Sequence, residues 1–312
     1  MDRREHLTRF LTPQQLGIEI GPYWNPLVPK RLGFNCVILD VFDAAELRRL
    51  AADDPNIAKD TLAHIEEVDL VGTCTNMAEL VAKKYSLGSF DYIVSSHNME
   101  HMPDPITFLQ ECQKVLKPNG ILSIAVPDRR TCFDYFRPHS TLMDWLEAYF
   151  EKRDRPTAAQ LFRQNSLHSR LFRNGQEIGS FTLEDNPAQI RPLQSLKQAF
   201  DAWKAYEANP DTVYRDVHCW AFTPSSLELI LRDLGFLGLI HMEIQQVTAT
   251  YGNEFFLRLR NLDASSTPAV STTDFYEQRR KLMHQINDEA SENSIRVYQM
   301  RRGRDRTGSG PK

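Results

Sequence analysis

What this sequence has little of removes several classes of function at once. Its five cysteines, at positions 36, 74, 112, 132 and 219, are odd in number and scattered, with no CxxC pair. That excludes a disulfide framework and a cysteine-based zinc site, and leaves reduced thiols in a cytoplasmic protein. Excess positive charge is missing too: a net charge of −4 over 312 residues denies the chain the basic surface of a general nucleic-acid binder. No apolar run approaches the ~20 residues needed to cross a bilayer, and the charged start Asp2-Arg3-Arg4-Glu5 is not a signal peptide. Clustered glycine is also lacking. The stretch Glu19-Ile20-Gly21-Pro22-Tyr23-Trp24-Asn25-Pro26 has one glycine where the pyrophosphate cradle of a nicotinamide enzyme, G-x-G-x-x-G, needs three. What is present is an ordinary globular balance, 41% hydrophobic and 25% charged, long enough for one elaborated α/β domain.

The most informative stretch is Phe90 to Asp128. Tyr92 to Ser95 is a short β-favouring run, and polar Ser96-His97-Asn98 follows it. Asp104 before Pro105 predicts an N-cap and first helical residue, Ile106, Leu109, Val115 and Leu116 recur at helical spacing, and Lys117-Pro118-Asn119-Gly120 stops the helix. A second apolar run, Ile121 to Val126, ends at Pro127-Asp128. Strand, helix and strand in this order form a βαβ unit of a parallel sheet.

Similar punctuation runs along the rest of the chain. Residues 1–16 read as a short helical segment, Gly17 to Ile20 as the first strand and Cys36 to Leu39 as the second, with a poorly defined third near Ile65 to Val71. Between residues 138 and 216 the β-type pattern disappears, which predicts a largely helical insertion of ~75 residues, too long for an ordinary loop. Ser225 to Leu234 is helical by pattern, and Leu239 to Val247 and Glu254 to Arg260 pair as an antiparallel edge. Asp274 and Glu277 suggest a capping box for a last helix within 264–300, and the Gly/Ser/Arg-rich residues 301–312 read as a disordered tail.

The strand Phe90-Asp91-Tyr92-Ile93-Val94, the loop ending in Glu100-His101 and the exit Leu116-Lys117-Pro118-Asn119-Gly120 resemble the late strand-helix-strand unit of class I S-adenosylmethionine-dependent methyltransferases. Glu19-Ile20-Gly21-Pro22 and His218-Cys219-Trp220-Ala221-Phe222-Thr223-Pro224 extend the resemblance. It implies a Rossmann-like, doubly wound, mostly parallel seven-stranded sheet with an antiparallel edge strand and a helical insertion. The core would then be 17–137 and 217–263, with 138–216 as a lid over the acceptor. The cofactor would be S-adenosylmethionine, which has no pyrophosphate to cradle.

In such a sheet ligands bind at the carboxyl ends of the strands. Glu19, Gly21 and Pro22 end strand one, and Asp40, ending strand two about twenty residues after Gly21, suits the ribose hydroxyls. The resemblance adds Asp69 or Gly72 beside the adenine, and Ser96 and His97 after strand four. His218, with Asp216 to orient it, is expected as general base, with His101 beside it. His97, Glu100 and His101 resemble the E-x-x-E-H magnesium site of a minority of methyltransferases, but a histidine at 97 suits magnesium poorly, so no metal is expected. Asp128, Arg129, Tyr135 and Arg137 are expected to contact the acceptor. Phe133-Asp134-Tyr135-Phe136-Arg137-Pro138 also resembles a methyltransferase group associated with glycans. A sugar hydroxyl on a glycan or glycosylated metabolite is therefore the expected acceptor; a small aromatic metabolite methylated at nitrogen or carbon, and a non-catalytic binding module, are the alternatives. No nucleic-acid partner is expected, and a homodimer is left open.

Overall fold

Glycine opens the first strand because its neighbour leaves no room for anything else: a Cβ at Gly17 would lie 1.9 Å from the ring of Tyr92. The computed structural model describes residues 2–55, 57–193, 195–209, 215–263 and 270–307. In chain order its regular elements begin with α1 (Arg3–Thr8), β1 (Gly17–Ile20), β2 (Cys36–Asp40), α2 (Ala44–Asp53), β3 (Leu70–Val71), α3 (Met77–Ala82), β4 (Phe90–Ser96), α4 (Pro105–Val115) and β5 (Leu116–Pro127). An insertion follows with α5 (Leu142–Glu151), α6 (Ala158–Leu167), β6 (Ser169–Arg173), β7 (Gln176–Ile178), β8 (Ile190–Pro192) and α7 (Leu196–Ala208). The chain then returns through α8 (Pro224–Phe236), β9 (Met242–Val247), β10 (Glu254–Asn261) and α9 (Thr272–Thr307).

Seven strands form one sheet in the order β3-β2-β1-β4-β5-β10-β9. The first five are parallel; β10 runs against both β5 and β9, so the reversed strand is the penultimate one. Alternate residues serve alternate faces, as the pleat requires. Ile18, Ile20, Val37, Leu39, Ile93, Leu122 and Ile124 pack with α3, α4 and α8. On the other face Cys36, Ile38, Tyr92 and Val94 meet Leu7 of α1 and Leu27 and Val28 of the loop after β1.

The local signals act as the residue types dictate. Asp104 Oδ1 accepts from Thr107 N at 3.0 Å, with Pro105 in the first turn of α4. Lys117 to Gly120 do not leave the sheet: they loop out as the β4–β5 pairing jumps from Phe90–Leu116 to Tyr92–Ile121, with Asn119 at φ 66°.

Three expectations need correction. The insertion carries a small antiparallel sheet, β7-β6-β8, whose hairpin turns on Asn174 and Gly175, at φ 52° and 77°. The last helix is capped by Ser271, which bonds Asp274 in its first turn, and not by Asp274 with Glu277. It also continues to Thr307, so residues 301–307 are helical; residues 308–312 lie outside the described residues. Helix α9 packs on α8 through Phe275 stacked on Phe236 and an ion pair between Arg279 and Asp233. Among the described residues no helix is long and apolar enough to cross a membrane.

Candidate active site

The strand order reverses between β1 and β4, and the open crevice of a doubly wound sheet lies at such a point. A cleft of about 370 Å³ sits there, lined by Glu19, Gly21, Pro22, Trp24, Ser96 and His97 among others. Gly21 has φ 56°, and a Cβ there would lie 2.6 Å from Oδ1 of Asn98. Asn98 itself donates to the Ile20 and Ser96 carbonyls at 2.9 and 3.1 Å, tying together the ends of the two strands that flank the crevice. The polar run after β4 contained this residue, but nothing in its spacing marked it as a brace.

Glu19 shapes the loop and does not face the cleft as a free carboxylate. Its two oxygens accept from the backbone N–H groups of Leu27 and Val28 at 2.6 and 3.0 Å. Burial pushes its pKa up to about 7 in spite of both bonds. The bulky loop between is thereby pinned, with Tyr23 at φ 48° and packed beside Leu47 and Ala51 of α2.

Further along the same edge, Gly21 N donates to Leu39 O and Gly72 N to Asp40 O, both at 2.9 Å. Gly21, Asp40 and Gly72 thus stand in a row at the ends of β1, β2 and β3. Asp40 is buried, which raises its pKa, and it accepts from Phe42 N at 3.2 Å. Asp69 is not in that row. It sits level with Ile38, accepting from Ile38 N at 2.7 Å and from Lys30 Nζ at 2.5 Å, two residues short of the strand end.

On the β4 side a second cluster forms around Glu100, which is fully buried with neither carboxylate oxygen hydrogen-bonded. Three histidines turn one ring nitrogen toward its Oε1: His97 Nδ1 at 3.5 Å, His101 Nε2 at 3.8 Å and His218 Nε2 at 3.9 Å. The opposite nitrogen of each rests on another carboxylate. His97 Nε2 meets Glu254 at 2.8 Å, His101 Nδ1 meets Asp216 at 2.8 Å, and His218 Nδ1 meets Asp134 at 2.5 Å.

The segment carrying His218 is held by backbone bonds on both sides. Trp220 N donates to Glu100 O, Ser140 N to Ala221 O and Arg129 N to Phe222 O, while Gln164 of α6 accepts from His218 N at 2.6 Å. This corrects the expected pairing: Asp216 orients His101, and the residue that orients His218 is Asp134, from the loop after β5. Asp134 is also bound by Arg137 at 2.6 Å. Burial alone would raise the Asp134 carboxyl, but the charge of Arg137 and the bond from His218 hold it below the usual range. For His101, burial works against the cation, yet the bond from Asp216 and the charges of Glu100 and Asp134 raise its pKa.

The expected acceptor contacts are turned inward. Asp128 is fully buried, bound by Arg130 and Thr250; Arg137 is 1% exposed and held by Asp134 and the Cys219 carbonyl. Both lie at the seam where the insertion leaves the core, and unpaired charge cannot be buried cheaply there. Arg129 donates to the Tyr135 carbonyl, and Tyr135 packs beside Phe181 under the small sheet. Residues that the sequence did not point to line the cleft instead: Arg3, which pairs with Glu254 at 2.8 Å, together with Ser180 and Asn253. Arg3 comes from α1, where it read as one charge among several.

A family model described as a methyltransferase domain matches residues 16–239. The chain belongs to this methyltransferase family. Its methyl donor is S-adenosylmethionine, and the row of strand ends fits that molecule: a glycine that cannot be replaced without collision, a buried carboxylate one strand away, and a cleft of the required order of size. The chain is 33% identical over 120 residues to a ubiquinone biosynthesis O-methyltransferase of Caulobacter vibrioides, covering 38% of this chain and 42% of that one. It is 31% identical over 134 residues to a probable S-adenosylmethionine-dependent methyltransferase of Mycolicibacterium smegmatis, covering 37% and 49%. The matches thus span less than half of these curated relatives. Among solved structures, an S-adenosylmethionine-dependent methyltransferase from Aquifex aeolicus superposes with a TM-score of 0.38 at 12% identity, over 81% of this chain and 85% of that one.

Proposed function

We propose that the chain is an S-adenosylmethionine-dependent O-methyltransferase that acts on a hydroxyl of a small molecule. The observation that carries this reading is the His218–Asp134 pair. An ionised carboxylate 2.5 Å from Nδ1 can only accept, so in the neutral ring Nε2 is the nitrogen with the free lone pair. That nitrogen is turned toward Oε1 of Glu100 at 3.9 Å, in a ring that stands edge-on to His101 with centroids 4.7 Å apart, and His97, which lines the cleft, faces the same Glu100 oxygen.

S-adenosylmethionine supplies an electrophilic methyl group on a sulfonium. Gly21, Pro22, Asp40, Gly72 and Ser96 would hold it along the strand ends. What remains is alignment and the removal of one proton. The acceptor O–H bond breaks as the O–CH3 bond forms, the proton passes to Nε2 of His218, and the electron pair of the broken S–CH3 bond stays with sulfur. Asp134, kept ionised by Arg137, stabilises the imidazolium that results.

A phenolic hydroxyl suits this pocket better than a sugar. Asp128 and Arg137, which would have bound sugar hydroxyls, are used up inside the protein, and the side chain packed against the ring of His218, with centroids 4.4 Å apart, is the aromatic Phe133. One relative is named for an O-methylation in ubiquinone biosynthesis, which supports the same choice.

Isothermal titration with S-adenosylhomocysteine, followed by labelled-methyl transfer to a panel of catechols, phenols and glycosides, tests the reading. Binding and label on a phenolic oxygen are expected. Label on glycosides alone would move the acceptor to sugars, and folded protein that does not bind S-adenosylhomocysteine would sink the reading.

A further inference from the structure

The small sheet of the insertion buries one face and carries an unbalanced charge on the other. Leu171 and Ile190 pack inward with Phe181 and Tyr135. Their neighbours along the strands point the opposite way, so Arg170 and Phe172 of β6 share the outer face with Arg191 of β8. Arg170 and Arg191 stand directly opposite each other, where Cβ atoms are about 4.5–5.5 Å apart and like charges destabilise the pair. Among the described residues neither guanidinium has a carboxylate or a hydrogen-bond partner, whereas Arg173 of the same hairpin pairs with Asp185 at 2.8 Å. Glu177, opposite Phe172 on β7, pairs with neither arginine.

The backbone makes room for this charge. A Cβ at Gly179, just after β7, would lie 1.8 Å from Nη1 of Arg170. Gly179 is outside the left-handed region, so glycine is needed there for space and not for a turn. A charged residue on an edge strand guards against stray pairing, which accounts for Arg191 on β8 but not for Arg170 on the central strand β6.

The place is the rim of the site described above. Ser180, next to Gly179, lines the cleft, and its Oγ accepts from Asn253 Nδ2 at 3.2 Å. His168, two residues before Arg170, stacks on Phe133 with centroids 4.7 Å apart, and Phe133 packs on His218. Burial first and the charge of Arg170 next lower the pKa of His168, so the guanidinium is felt within that stack.

We propose that Arg170 and Arg191 bind an anionic group of the methyl acceptor, a carboxylate or a phosphate. Guanidinium forks match the paired oxygens of both groups, and an anion between them offsets their mutual repulsion. Phe172, whose ring centroid is 5.7 Å from Cζ of Arg191, supplies an apolar neighbour. The inference rests on the reaction proposed above and adds to it the charge of the acceptor: a phenol that carries an acid group.

The test is equilibrium titration of the full-length protein, in excess S-adenosylhomocysteine, with two matched pairs of ring compounds: para-hydroxybenzoate beside its methyl ester, and phenyl phosphate beside phenol. In at least one pair the acid should bind about tenfold more tightly than its neutral counterpart, and the pair with the larger preference identifies the group. Arg170→Gln and Arg191→Gln should each cut that preference to about threefold or less while the affinity for S-adenosylhomocysteine is unchanged. Arg191 is exposed, so its variant keeps the fold. Arg173→Gln, already paired with Asp185 in the parent, should keep the preference. Equal binding within both pairs, or none, overturns the proposal, as does a preference that survives in folded Arg170→Gln and Arg191→Gln. Titration requires no methyl transfer, so failure here is distinct from failure of the proposed reaction.

Discussion

Around Gly21 the protein keeps its shape with backbone, whereas around Glu100 it does so with buried charge. The cofactor side is a loop whose N–H groups are tied down by Glu19 and whose turn is made by a positive φ beside Asn98. The side proposed here for the acceptor gathers Glu100, His101, Asp134, Asp216 and His218, joined to the cleft through His97 and its partner Glu254, from segments up to 157 residues apart. Backbone shape can serve any donor of one form. A network of charges sets protonation, which is what a methyl acceptor needs.

The largest loss should come from the buried charge. Arg137→Ala removes the cation that neutralises Asp134, and breaking a buried pair in this way costs about 3–5 kcal/mol of stability. Denaturant unfolding measures it; a loss under 1 kcal/mol would mean that the network is not what braces this side.

Glu19 carries the next effect, through pH. Its folded pKa of about 7 stands above the ordinary glutamate value of 4.5, so its contribution is fully present below about pH 4.5 and is lost as pH rises through 7. The difference amounts to about 3 kcal/mol. Thermal melts of the parent protein and Glu19→Gln should therefore diverge in the variant's favour between those two pH values. Parallel pH curves would show that the loop is held by something other than this carboxylate.

The smallest effect belongs to the turn. Gly21→Ala forces a non-glycine residue into the left-handed region and toward Asn98, a strain of about 1–2 kcal/mol. Affinity for S-adenosylhomocysteine should fall by roughly tenfold. An equal fall in the rate at saturating donor would mean that the two halves of the site are not separable.

The same contrast explains what the sequence made legible. Strand ends and helix starts are local: Gly21, Asp40 and the Asp104–Pro105 cap are each read from a few neighbours, and all three occur where the pattern puts them. The hairpin at Asn174-Gly175 was equally local, with a type I′ turn signal between short strands, and was obscured by the charges around it. Partners across the fold leave no such trace. Asp216 stands two residues from His218 and was the natural choice to orient it, yet the chain turns that carboxylate to His101 and brings Asp134 to His218. Asp69 pairs with Lys30 for the same reason: which carboxylate meets which cation is decided by packing and not by spacing.

The central claim is that proton removal and cofactor binding are handled by different parts of this site. Measuring both in His218→Ala tests it most directly: single-turnover transfer from labelled S-adenosylmethionine at saturating acceptor, beside the affinity for S-adenosylhomocysteine. The account predicts a rate lower by about 10²–10⁴ with an affinity within a few-fold of the parent. An unchanged rate, or an affinity that collapses with it, would contradict the account.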